Sequence, residues 1–81
     1  MSGAYPPLTC KEVKQILAAL GFSPRPQKST SHEQWVKIDL DRIFKVTVDC
    51  PKAPFSQDLI ASMSRQAGVT KKQFYAALHP Q

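Results

Sequence analysis

Between Glu33 and Val48 apolar and polar side chains alternate with a period of two, the pattern of extended strands buried on one side. Gln34-Val36-Ile38 alternates against Glu33-Trp35-Lys37, and Phe44-Val46-Val48 against Ile43-Lys45-Thr47, with Asp39-Leu40-Asp41 as the turn between them. The segment predicts an antiparallel hairpin with one oily face, and an isolated hairpin is marginal in water. The rest of an 81-residue chain must therefore cover that face. Strict alternation puts Val36, Ile38, Phe44, Val46 and Val48 toward the cover and sends Trp35, Lys37, Lys45 and Thr47 to the open side. An aromatic ring between lysines on that side suits contact with a ligand. If a bulge reverses the parity, Trp35 covers an apolar patch instead.

The cover is legible as capped helices. Thr9 and Glu12 form a capping box, stapled by Leu8 and Val13. Val13, Ile16, Leu17 and Leu20 then make one apolar stripe and Gly21 supplies a left-handed stop, so the first helix runs from about Cys10 to Leu20. Ser56 caps a second helix with stripe Leu59, Ile60, Met63 and Ala67, closed by Gly68. Thr70 and Gln73 open a short third helix, stapled by Val69 and Phe74. Between the first helix and the hairpin, Pro24 and Pro26 cannot donate to a ladder, so any strand there belongs at a sheet edge. The order is α-β-β-β-α with a terminal helical appendage, an α+β class in which helices cover one face of a three-stranded antiparallel sheet. Residues 1–7, with Pro6-Pro7, read as a flexible terminus, and 8–81 as one domain.

With 42% hydrophobic and 21% charged residues the composition is globular. Eleven Lys and Arg against six Asp and Glu give a net charge of +5, which favours an acidic partner such as nucleic acid or an acidic protein, although the charges are scattered. No apolar run reaches the roughly 20 residues of a membrane helix. Residues 1–7 lack the pattern of a secretory signal, so a cytoplasmic protein is expected. Cys10 and Cys50 have no C-x-x-C spacing and read as two separate buried thiols rather than zinc ligands. Asp39, Asp41, Asp49 and Asp58 read as turn, strand-end and helix-start residues, so neither metal nor other cofactor is expected. Ser29, Thr30 and Ser31 lack the G-x-S-x-G context of an acyl-transfer nucleophile.

The chemistry concentrates in Lys28-Ser29-Thr30-Ser31-His32, where an imidazole follows three hydroxyls at the mouth of a strand. RNA carries its own nucleophile, the 2′ hydroxyl. A ribonuclease without metal needs a base that titrates near neutrality and donors for the crowded phosphate. His32 is the candidate acid or base, and Lys28 with Ser29, Thr30 and Ser31 are candidate phosphate ligands. Arg25, Trp35, Lys37 and Lys45 are candidate contacts to the strand. His79, near the end of the chain, is read as incidental.

In these features the chain resembles the HicA family of small toxin ribonucleases. The resemblance rests on Gly21-Phe22, on Lys28 to His32, on Trp35, and on Arg65-Gln66-Ala67-Gly68 followed by Phe74, and it spans about Leu8 to Leu78. It implies a fold like the double-stranded RNA-binding domain and metal-independent cleavage of messenger RNA that depends on His32. It also implies a HicB-type antitoxin as protein partner. Ser29 stands where the family has glycine, which implies a loop that is either strained or bent differently, with a less close approach of phosphate. Pro24 and Pro26 make the first strand irregular. Two other readings compete: an RNA-binding module without catalysis, and a protein-interaction domain anchored by Trp35.

Overall fold

The computed structural model describes residues 5–25 and 32–78. Its elements are α1 (Cys10–Ala19), β1 (Ser23–Pro24), β2 (His32–Asp39), β3 (Arg42–Asp49), a 3-10 turn (Cys50–Lys52), α2 (Gln57–Ala67) and α3 (Lys71–Ala76). The class is α+β, as expected. Among the described residues no helix is long and apolar enough to cross a membrane.

Helix α1 begins at the capping box. The Glu12 amide donates to Thr9 Oγ1 at 3.1 Å, while the Thr9 amide donates to Glu12 Oε1 at 2.9 Å. Both staple residues, Leu8 and Val13, are buried. At the other end Gly21 takes φ +96° and the Phe22 amide donates to the Leu17 carbonyl at 2.9 Å, which turns the Phe22 ring into the core. β1 follows at the edge of a sheet ordered β1-β2-β3 and antiparallel throughout. Pro24 is thus confined to an edge strand, as its missing N–H requires.

The hairpin register corrects the expected faces. A three-residue turn over 39–41 would pair 38 with 42 and keep even residues opposite even ones. The turn instead has two residues, Leu40 and Asp41, with Asp39 paired to Arg42, so even positions of β2 face odd positions of β3. Cross-strand partners share a face. Trp35 therefore sits opposite Val46 and joins Phe44, Val46 and Val48 beneath the helices, whereas Val36 and Ile38 lie on the other face with Ile43, Lys45 and Thr47. Trp35 is only 7% exposed, while Ile38 and Ile43, paired near the tip, are 72% and 71% exposed. Lys37, expected beside Lys45, lies on the helix side with its ammonium 5.9 Å from the centre of the Phe22 ring.

Leu40 adopts φ +56° and is almost wholly exposed, so it carries the cost of a left-handed backbone without any burial to offset it. Glycine at this first turn position relieves the strain. Leu40→Gly is expected to raise stability by about 0.5 to 1 kcal/mol, read as a higher urea midpoint at unchanged slope.

Helix α2 is capped by Ser56 and ends at Gly68 with φ +78°. A Cβ at Gly68 would come within 2.8 Å of the Phe44 ring, in a backbone region that alanine avoids. The half-buried ring must then shift. Gly68→Ala is expected to cost about 1 to 2 kcal/mol, measurable by the same denaturation experiment. Helix α3 starts from the second capping box, in which Thr70 and Gln73 bond reciprocally at 2.9 and 3.1 Å. The segment before α1 runs antiparallel to the segment before α2, with the Phe55 amide donating to the Leu8 carbonyl at 2.8 Å. Tyr5 stacks on Tyr75 with ring centres 4.4 Å apart, and the Tyr75 hydroxyl donates to the Pro6 carbonyl.

This alignment also corrects the reading of the cysteines. Cys10 and Cys50, 40 residues apart in sequence, are joined in a disulfide with their Cα atoms 5.2 Å apart. Local spacing gave no hint of the pair. It forms because the Leu8–Phe55 bridge brings the first residue of α1 beside the turn that leaves β3. Val13, Ile16 and Leu17 of α1 and Ile60, Met63 and Ala67 of α2 close one core with Trp35, Val46, Val48, Phe55 and Phe74.

Candidate functional site around His32

His32 is the first residue of β2 and Asp49 the last of β3, so the antiparallel register sets them directly opposite each other. Their side chains meet on the face away from Trp35, with His32 Nε2 3.8 Å from Asp49 Oδ2. The imidazole is 56% exposed and the carboxylate 18%. A largely buried carboxylate beside an accessible imidazole can bias the ring's orientation.

A cavity of about 200 Å³ opens at this pair. Its polar lining comes from His32, Thr47, Asp49, Lys52, Ser62 and Gln66, and its apolar wall from Phe55, Leu59 and Met63. Helix α2 reaches the cavity because it packs along β3, where the Thr47 amide donates to Gln66 Oε1 at 3.4 Å and closes part of the outer strand edge. Gln34 Nε2 in turn donates to Thr47 Oγ1 at 3.2 Å. The site thus joins the open end of the hairpin, away from its turn, to the middle of α2. Among the described residues, no three His, Cys, Asp or Glu side chains gather as a metal would require.

Of the residues singled out in sequence, Lys28, Ser29, Thr30 and Ser31 lie outside the described residues. Arg25 is exposed just after β1, and its amide donates to the Gln34 carbonyl at 2.8 Å. Lys45 is exposed on the same sheet face as His32, whereas Lys37 is on the opposite face. Trp35, expected on the open side, is in the core. Its indole N–H donates to Glu33 Oε1 at 2.8 Å, which satisfies the buried nitrogen. Sequence reasoning passed over Thr47, Lys52, Ser62 and Gln66 and took Asp49 for a strand end. Only the pairing of 32 with 49 could have pointed to that aspartate.

At the rim of the core, Glu33 also meets Lys14, Nζ to Oε1 3.1 Å. The Trp35 hydrogen bond, and then Lys14, hold the Glu33 carboxyl below the usual glutamate range, against an opposing effect of burial. A lowered folded-state value means that this stabilisation is present above the ordinary glutamate range and is lost as pH falls through the folded value. Glu33→Gln is therefore expected to lower stability at neutral pH by no more than about 1 kcal/mol. The difference from wild type should shrink as pH falls below the ordinary glutamate range, as urea midpoints at neutral and at acid pH will show.

No family model matches this chain, and neither a curated protein nor a solved structure matches it.

Proposed function

We propose that the chain is a metal-independent endoribonuclease that cleaves messenger RNA, the HicA-type toxin of a toxin–antitoxin pair restrained by a HicB-type antitoxin. The observation that carries this reading is the accessible His32 imidazole facing Asp49 at the mouth of a mixed polar and apolar cavity. In this reading the fold is of the double-stranded RNA-binding kind and the protein acts in the cytoplasm, where its substrate is and where reducing conditions favour the dithiol form of the Cys10–Cys50 pair.

The chemistry follows from the substrate. His32 removes the proton of a ribose 2′ hydroxyl, the 2′ oxygen attacks phosphorus, and the bond to the 5′ oxygen breaks. Asp49 is a positioning residue that orients the ring. The Lys52 ammonium at the cavity supplies positive charge for the phosphate oxygens, with Lys28 and the hydroxyls of residues 29–31 as further ligands. Departure as a free 5′ hydroxyl requires a proton, which water gives when His32 is the base; in the alternative role His32 gives it and water takes the proton of the 2′ hydroxyl. A net charge of +5 suits both RNA and an acidic antitoxin. The exposed Ile38, Leu40 and Ile43 at the hairpin tip are consistent with a protein partner as well.

The test is incubation of single-stranded RNA with the purified chain in the presence of a metal chelator. Fragments with 5′ hydroxyl ends and 2′,3′-cyclic or 3′ phosphates are expected. Intact RNA with salt-sensitive binding would leave an RNA-binding module, and neither cleavage nor binding would leave a protein-interaction domain.

A further inference from the structure

We infer that the cavity beside His32 receives one nucleobase adjacent to the linkage being cut, so that cleavage is base-selective; this rests on the ribonuclease reading above. A phosphate subsite alone does not account for the lining. Phosphate calls for cations and amide donors, and Lys52 is the one cation the cavity presents among the described residues. The remaining lining is that of a ring site. Leu59, Met63 and Phe55 offer apolar wall for a π face, while Ser62 and Gln66 of α2 offer groups that can bond a base edge. Gln66 Oε1 accepts from the Thr47 amide at 3.4 Å, which leaves its NH₂ as donor.

Size and position agree. At about 200 Å³ the cavity falls below the roughly 300 Å³ at which sites for drug-sized ligands begin, yet it has room for a planar ring. His32 and Asp49 belong to the same lining, so a base seated there keeps its own ribose and phosphate within reach of the imidazole. Ser62 and Gln66 lie four residues apart on α2, one turn along a single face, and so present their polar groups together.

The experiment uses four oligonucleotides that contain one ribonucleotide in a 2′-deoxy frame, so that a single linkage can be cut, and that differ only in the base at that linkage. Wild type is expected to favour one base by about tenfold or more. Ser62→Phe, which fills the cavity from α2, is expected to lower the ratio of the favoured substrate to the others about tenfold, whatever the absolute rates. Equal cleavage of all four by wild type overturns the inference while the ribonuclease reading stands. So does an equal loss across all four in a Ser62→Phe protein of unchanged circular dichroism. If wild type cuts none of them, the ribonuclease reading fails by itself, and titration with the four nucleoside 3′-monophosphates followed by amide NMR decides the cavity. Shifts at Thr47, Ser62 and Gln66 for one base above the others sustain it; no shifts, or the same shifts with inorganic phosphate, overturn it.

Discussion

Replacing His32 by alanine is expected to lower RNA cleavage by roughly 10²- to 10⁴-fold, the span that a positioned acid or base contributes. The fold should not notice. His32 opens β2 with an exposed ring and no share in the core, so the unfolding free energy should stay within about 0.5 kcal/mol of wild type. This separation of activity from stability makes the variant informative. Asp49→Asn keeps the shape of the carboxylate but removes its charge, and a smaller loss of activity with an altered pH profile is expected if Asp49 works through the imidazole. Cleavage and melting should be measured on one preparation of each variant, purified free of contaminating nuclease. His32→Ala protein that still cuts at the wild-type rate would end the ribonuclease reading.

The second large effect lies in the core. Trp35→Ala is expected to destabilise the protein by about 3 to 5 kcal/mol, out of a total that in domains generally is about 5 to 15 kcal/mol. The indole is the main apolar contribution of β2 to the helix-covered face. Its neighbours there, Glu33 and Lys37, lie at the rim, the first against Lys14 and the second over the buried Phe22 ring. Removing it leaves a void under Val46 and strips Glu33 of the hydrogen bond that lowers its pKa. Trp35→Phe preserves most of the apolar area and should cost less, since it loses mainly the bond to Glu33. Urea denaturation followed by circular dichroism measures both. Were Trp35 a surface platform for RNA, the alanine variant would be as stable as wild type and fail only in binding.

How much of this was visible beforehand depends on the range over which each feature is decided. Thr9 with Glu12 and Thr70 with Gln73 are bonds between residues three apart, so both helix starts could be read from the chain, as could the stops at Gly21 and Gly68. The alternation of residues 33 to 48 showed two strands but not which parity faces inward. One residue more or less in the turn reverses the choice for a whole strand. The core role of Trp35 and the outward turn of Val36 and Ile38 therefore rested on Leu40 and Asp41 alone forming the turn.

The candidate site divides in the same way. His32 stood out by its local company of hydroxyls and lysine. Asp49, Thr47, Lys52, Ser62 and Gln66 had no such company, because they reach the cavity through strand pairing and the packing of α2 along β3. The amino-acid order by itself determined the capped helices, the hairpin and the edge position of Pro24, since short-range hydrogen bonds and the fixed geometry of proline and glycine act within a few residues. Tertiary structure alone decided which strand faces are buried, that Cys10 meets Cys50, and what surrounds His32. Those outcomes depend on contacts between distant segments, which form only when the chain closes around one core.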